Sequence, residues 1–238
     1  MMLRLLLADW LKLKKIPVLG TIVIGSIGLS VVVAVQSYFW SDKISESKGI
    51  FIVAILNLFL HFTLMVISTL LSSIIAGNEH DSNSWKKIFA LPISKIQIFF
   101  SKTILVIFLL AITSLLILLG SIVIWSAFAG FNQIIWTLLL KQIAFSFLAS
   151  LPTIAIQLWL SLSIKNQAIP ILIGIIGAVS SLFLARSSSI MVNFLPWSYS
   201  PLSTPLLAHS IDWVWKGLFV GVLFLILGAI KFSKQETH

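Results

Sequence analysis

The sequence predicts an all-α integral membrane protein with six transmembrane helices, organised as one domain over residues 1–238. Three observations carry that prediction. Hydrophobic residues make up 59% of the chain and charged residues 10%, whereas a soluble domain carries about 25% charge. Mean hydropathy is +1.10. The formal charges also fall in clusters separated by charge-free runs, and a helix needs about 20 apolar residues to cross the hydrocarbon core. There are no cysteines, which excludes a disulfide framework, a thiolate metal site and a cysteine nucleophile. The net charge of +9 reads as a topology signal, because too little of the chain is solvated to form a nucleic-acid footprint.

The elements follow in chain order. Residues 1–16 read as an amphipathic elbow helix on the inner membrane surface. Arg4, Ala8, Lys12 and Lys15 fall on one side and Leu3, Leu6, Leu7 and Trp10 on another, so the basic side meets headgroups while the leucines enter the acyl boundary. The first span is 17–40. Its charge-free run, Ile16–Ser41, covers 26 residues, longer than the roughly 7–15-residue core of a cleaved leader. The second span is 50–77.

The segment after it, 78–102, is read as cytoplasmic. Trp85, Ile88 and Phe89 lie at i, i+3 and i+4 and make a short apolar face, with Lys86 and Lys87 elsewhere. Pro92 ends that helix. Ser94 and Gln97 form a capping box that starts a new helix, which continues into the third span, 103–127. A short helix displayed between two spans is a docking element; its alternative is a helix resting on lipid.

The fourth span is read as one helix over 140–163 and the fifth as 168–185. The run 187–211 holds Pro196, Pro201 and Pro205 and reads as an outer loop, since lipid cannot satisfy the backbone groups that proline frees. Within it, Thr204-Pro205 resembles an N-cap and first-turn pair for a short outer helix over 205–209. The sixth span is 213–231, with Lys216 snorkelling from its end.

Orientation comes from the basic residues. With both termini inside, Arg4, Lys12, Lys14, Lys15, Lys86, Lys87, Lys95, Lys102, Lys165, Lys231 and Lys234 are cytoplasmic, eleven of the sixteen. Trp40, Trp125, Trp136, Trp197, Trp213 and Trp215 then fall near the outer face, and Trp10, Trp85 and Trp159 near the inner one.

Enzyme motifs are missing from the sequence. It holds no G-x-x-x-x-G-K-[ST] phosphate loop and no H-E-x-x-H, and Gly25-Ser26-Ile27-Gly28 is not a serine elbow. The four histidines have no metal-ligand spacing. Polar residues in the spans do form stripes: Asn57, His61, Ser68 and Ser72 on the second, and Ser146, Ser150, Thr153, Gln157 and Ser161 on the fourth. They read either as the wall of a translocation path or as helix–helix hydrogen bonding. Gly217-x-x-x-Gly221 and Gly177-x-x-x-Ser181 permit close helix approach and are candidate dimer contacts.

This arrangement resembles the ABC-2-type permeases, the membrane subunits of ATP-driven exporters. The likeness rests on the basic elbow Ala8-Asp9-Trp10-Leu11-Lys12-Leu13-Lys14-Lys15, the six spans, the outer loop before the last span, and the inner loop from Glu79 through Trp85-Lys86-Lys87 to Leu91-Pro92-Ile93-Ser94-Lys95. Within the family it is similar to bacterial permeases of lantibiotic immunity and bacitracin resistance. The resemblance implies a separate ATP-binding subunit holding ATP and Mg, docked on Glu79, Asp81, Trp85, Lys86, Lys87, Ile88 and Phe89. It also implies a second permease chain, identical or related. Asn57, His61, Ser68, Ser72, Thr153, Gln157 and Ser161 are the candidate path residues. No cofactor, no metal and no catalytic residue is expected in this chain, which would sit in the bacterial plasma membrane. Two other readings stay open: a substrate-binding membrane subunit of an uptake system, and a membrane-embedded enzyme acting on lipid or peptide.

Overall fold

The computed structural model describes residues 2–81, 94–184 and 190–234. They are helical almost throughout, with no strand among them. The helices are α1 (Met2–Lys12), α2 (Lys15–Phe39), α3 (Ser41–Glu46), α4 (Ile50–Asp81), α5 (Lys95–Ala129), α6 (Trp136–Ala149), α7 (Leu151–Ser163), α8 (Ala168–Leu184), α9 (Tyr199–Leu202) and α10 (Ser210–Lys234).

Helix α4 is central and packs against α2, α5, α6, α7 and α8; α10 closes the bundle against α5, α6 and α7. Phe99 at the start of α5 meets Phe232 at the end of α10, with ring centroids 6.1 Å apart, and Ser101 bonds Asp9 of α1. The N-terminal helix, the two feet of residues 82–93 and the end of α10 therefore share one end of the bundle. The α3 turn and the segment around α9 lie at the other. Large apolar side chains such as Leu19, Ile24, Leu115, Leu119, Phe183 and Phe219 point outward, as lipid-facing surfaces require, because acyl chains are as apolar as leucine.

Among the described residues, four helices, α2, α4, α5 and α10, are long and apolar enough to cross a membrane, and a fifth crossing is obtained if α6 and α7 count as one span bent by 40°. The single helix expected over 140–163 is thus corrected to two. The cause is local. Pro152 stands in the first turn of α7 and has no N–H to offer the Leu148 carbonyl. At the junction Ser150 turns its hydroxyl onto the Phe147 carbonyl, 2.7 Å away. Helix α8 has 17 residues, about 26 Å at 1.5 Å per residue, somewhat short of the roughly 30 Å hydrocarbon core.

The third expected span begins as read. Ser94 accepts from the Gln97 N–H at 3.2 Å, and the Gln97 side chain accepts from the Ser94 N–H at 3.3 Å. This capping box opens one continuous helix, α5. Gly49 has φ +89°, and a Cβ there would collide with the indole of Trp125. Both the backbone and the packing demand glycine. Trp125 is fully buried under that turn, so it is a packing residue and not part of an interfacial belt. Trp40 and Trp213 do carry interfacial character: Lys43 Nζ stands 4.4 Å from the Trp40 ring centre and Lys216 Nζ 4.1 Å from that of Trp213.

The glycine pairs are used inside the chain. A Cβ on Gly217 would lie 2.6 Å from Ala149 Cα, and one on Gly221 2.7 Å from Leu151 Cγ. Helix α10 is therefore seated directly on the α6–α7 break. Gly177 lies against the Trp197 indole. Both motifs, expected at a dimer contact, are occupied by the protomer's own helices.

Candidate functional site

The expected docking residues fall in a segment whose two feet are helical. Trp85, Lys86, Lys87, Ile88 and Phe89 lie outside the described residues, as does the side chain of Asp81. The feet are the last turn of α4 and the first two turns of α5. Glu79 is among the residues expected to dock the ATP-binding subunit, which requires an accessible side chain. It is instead buried, at 5% exposure, and accepts from Lys102 Nζ at 3.0 Å. Lys102, expected among the cytoplasmic topology charges, is 2% exposed. It reaches a second carboxylate as well, Asp9 Oδ1 of α1, at 3.4 Å. Asp9 in turn accepts from the Ser101 hydroxyl at 2.7 Å. The correction has a simple cause. Antiparallel packing of α4 on α5 brings residues 79 and 102 level, and α1 folds over them.

The elbow itself is a helix, α1, that turns into α2 after only Leu13 and Lys14. Leu7 and Leu11 are exposed, consistent with the acyl boundary. The Trp10 ring meets Phe108 of α5 edge-on at 6.0 Å. The elbow is therefore anchored to α5 as well as placed to face lipid. Sequence reasoning used the basic and apolar sides of this helix and passed over Asp9. The available signal was an acid in a stretch otherwise basic or apolar.

The polar stripes meet in the interior. His61, Ser68, Ser72, Ser146, Ser150, Thr153, Gln157 and Ser161 are buried. Gln157 Nε2 donates to the Pro170 carbonyl of α8 at 2.8 Å. Ser73 donates to Gln167 Oε1 at 3.0 Å, and Gln167 Nε2 donates to the Ser161 carbonyl at 2.9 Å. His61 Nδ1 lies 2.7 Å from the Asn57 carbonyl, which can only accept, so Nδ1 carries the proton. A separate cleft of about 770 Å³ opens between α2 and α4, walled by residues such as Gly20, Ile24, Gly28, Phe59, Phe62 and Val66. The stripe residues are not among its walls.

At the opposite end the segment before α10 is drawn into the bundle. The expected helix at 205–209 is absent, and the short helix lies upstream, at α9. Thr204 Oγ1 accepts from the Leu206 N–H at 3.4 Å, as a cap would, but no helix follows, and its hydroxyl donates to Gln142 Oε1 at 2.6 Å. Gln142 Nε2 donates to Asn57 Oδ1 at 2.9 Å, and Asn57 Nδ2 reaches the Pro201 carbonyl at 3.4 Å. Ser200 donates to the Ser146 carbonyl at 3.0 Å. These bonds pin α9 to α4 and α6. Buried amides in an apolar medium need such partners.

Residues 5–181 match the family described as ABC-2 family transporter protein, more than half of the chain. The chain belongs to the ABC-2 transporter family. It is therefore a membrane-embedded permease subunit, non-catalytic itself, of a family that works with an ABC ATP-binding partner. No curated protein and no solved structure matches it. Among the described residues of this ABC-2 permease, no group of three or more His, Asp or Glu side chains is placed to hold a metal ion.

Proposed function

We propose that this ABC-2 permease is half of an ATP-driven exporter that clears an amphipathic or cationic antimicrobial peptide, lantibiotic-like in character, from a bacterial plasma membrane. Its chain makes six crossings with both termini in the cytoplasm, counting α6–α7 as one bent span and α8 as a short one. A separate subunit binds ATP and Mg and docks on the Trp85–Phe89 helix. A second permease chain, identical or related, completes the path. ATP binding closes the nucleotide subunits, and the docking helix passes that motion to the spans.

The observation that carries this reading is the family match in a chain without a phosphate-cradling loop. It is supported by the apolar triad at i, i+3 and i+4 in the segment between α4 and α5. The eleven-to-five basic asymmetry supports the orientation. Ser200 is buried and would report poorly on sidedness, but Leu207 is 48% exposed. A single Leu207→Cys is expected to react with an impermeant thiol reagent added outside intact cells. Reaction only from the cytoplasmic side would reverse the topology.

The cargo is tested on the co-purified complex in liposomes. ATP hydrolysis is expected to rise on adding a cationic amphipathic peptide and to ignore an anionic peptide of equal length. A flat response to the cationic peptide would remove the cargo assignment.

A further inference from the structure

We propose that Lys102 is a positioning residue that ties the elbow helix α1 to both feet of the 82–93 segment, so that displacement of that segment by a bound ATPase is carried into α1 and on into α2. This inference rests on the permease reading above.

The geometry is a three-way buried contact. Lys102 belongs to the foot on α5, Glu79 to the foot on α4, and Asp9 to α1. One ammonium holds all three elements, at 3.0 Å to Glu79 and 3.4 Å to Asp9. All three side chains are at least nine-tenths buried, under Leu13, Ile75 and Leu105. Buried ion clusters are poor devices for stability, since apolar residues of the same volume serve as well or better. Their best-attested use is to specify one arrangement over its alternatives. Here the arrangement specified is the angle of α1 relative to the two feet.

The link onward is short. Only Leu13 and Lys14 separate α1 from α2, and α2 packs along both α4 and α5. A two-residue elbow leaves little slack to absorb a rotation of α1. Movement of the feet therefore reaches α2 by direct packing and through α1, which the α5 foot holds by Ser101–Asp9 and Trp10–Phe108 and which Lys102 links to both feet. The Lys102–Asp9 ion pair can be cut without touching the other contacts. Asp9→Asn removes the charge, keeps the shape and retains an acceptor for Ser101. It leaves Lys102 and Glu79 as a neutral pair.

The test uses the permease–ATPase complex in nanodiscs with spin labels on Leu7→Cys in α1 and Phe183→Cys at the far end of α8. Both positions are exposed, and the native chain has no cysteine. Trapping the ATP-bound state is expected to shift the inter-label distance in the parent and in Lys102→Arg, which preserves the charge. The shift should be clearly diminished in Asp9→Asn while the ATPase still co-purifies in parental amount. An undiminished shift in Asp9→Asn, or no shift in the parent, would overturn the inference and leave the permease reading standing. Failure of any ATPase to co-purify with the parent would sink the permease reading itself, and this inference with it.

Discussion

Replacing Trp85 and Phe89 together with alanine is expected to release the ATP-binding subunit while the permease stays inserted. The segment that holds them joins α4 to α5. Its three apolar side chains recur at i, i+3 and i+4, the spacing by which a helix fills a groove. Aromatic anchors dominate such contacts, and removing one costs on the order of 2 kcal/mol, roughly thirtyfold in affinity. Losing two should therefore abolish recovery of the ATPase in a pull-down at matched membrane expression. Lys86→Glu with Lys87→Glu makes a useful contrast, since charges at a contact's rim alter association rate more than contact energy. Undiminished recovery with the double alanine variant would place this segment on lipid. Glu79 could not take over the docking role without breaking its pair with Lys102.

The second large effect is on folding. Lys102→Ala would strand the Asp9 and Glu79 carboxylates in a buried site with only Lys12 at its edge as a further cation. Breaking a buried pair in this way costs about 3–5 kcal/mol, a large part of the total stability of an average domain. A steep fall in the thermal midpoint is expected in detergent, along with poor membrane accumulation. The combined variant Asp9→Asn, Glu79→Gln, Lys102→Met should recover most of that loss, because it removes the charges together. Parental stability in Lys102→Ala would mean that water reaches the cluster freely. No recovery in the triple variant would mean that shape, not charge balance, is what matters there.

Local features were legible in the sequence. The Ser94–Gln97 capping box needs only neighbours three residues apart, and it is present in both directions. The apolar runs located the long helices because lipid selects composition directly. Features decided by distant partners were not legible. Thr204 reads as a cap when followed by Pro205 and does accept from the Leu206 N–H, yet no helix follows, and its own proton goes to Gln142 on another helix. Gly217 and Gly221 read as a surface for a second chain, but α6 and α7 fill it. The break at Ser150 is an intermediate case. Pro152 stood in plain view within the fourth run, and counting apolar residues gave it no weight. The Lys102 cluster was half legible: residues 79 and 102 flank one loop and must lie level in antiparallel helices, but only the fold brings Asp9 to them.

We propose that this ABC-2 permease supplies a membrane path and borrows its ATPase. The most direct measurement is ATP turnover by the tagged chain purified from native membranes, first as the complex that co-elutes and then after the chain has been stripped of partners. The account predicts a co-eluting subunit that carries a phosphate loop, turnover in the complex, and none in the stripped chain. Turnover by the stripped chain, or a native preparation with no ATP-binding subunit at all, would contradict it.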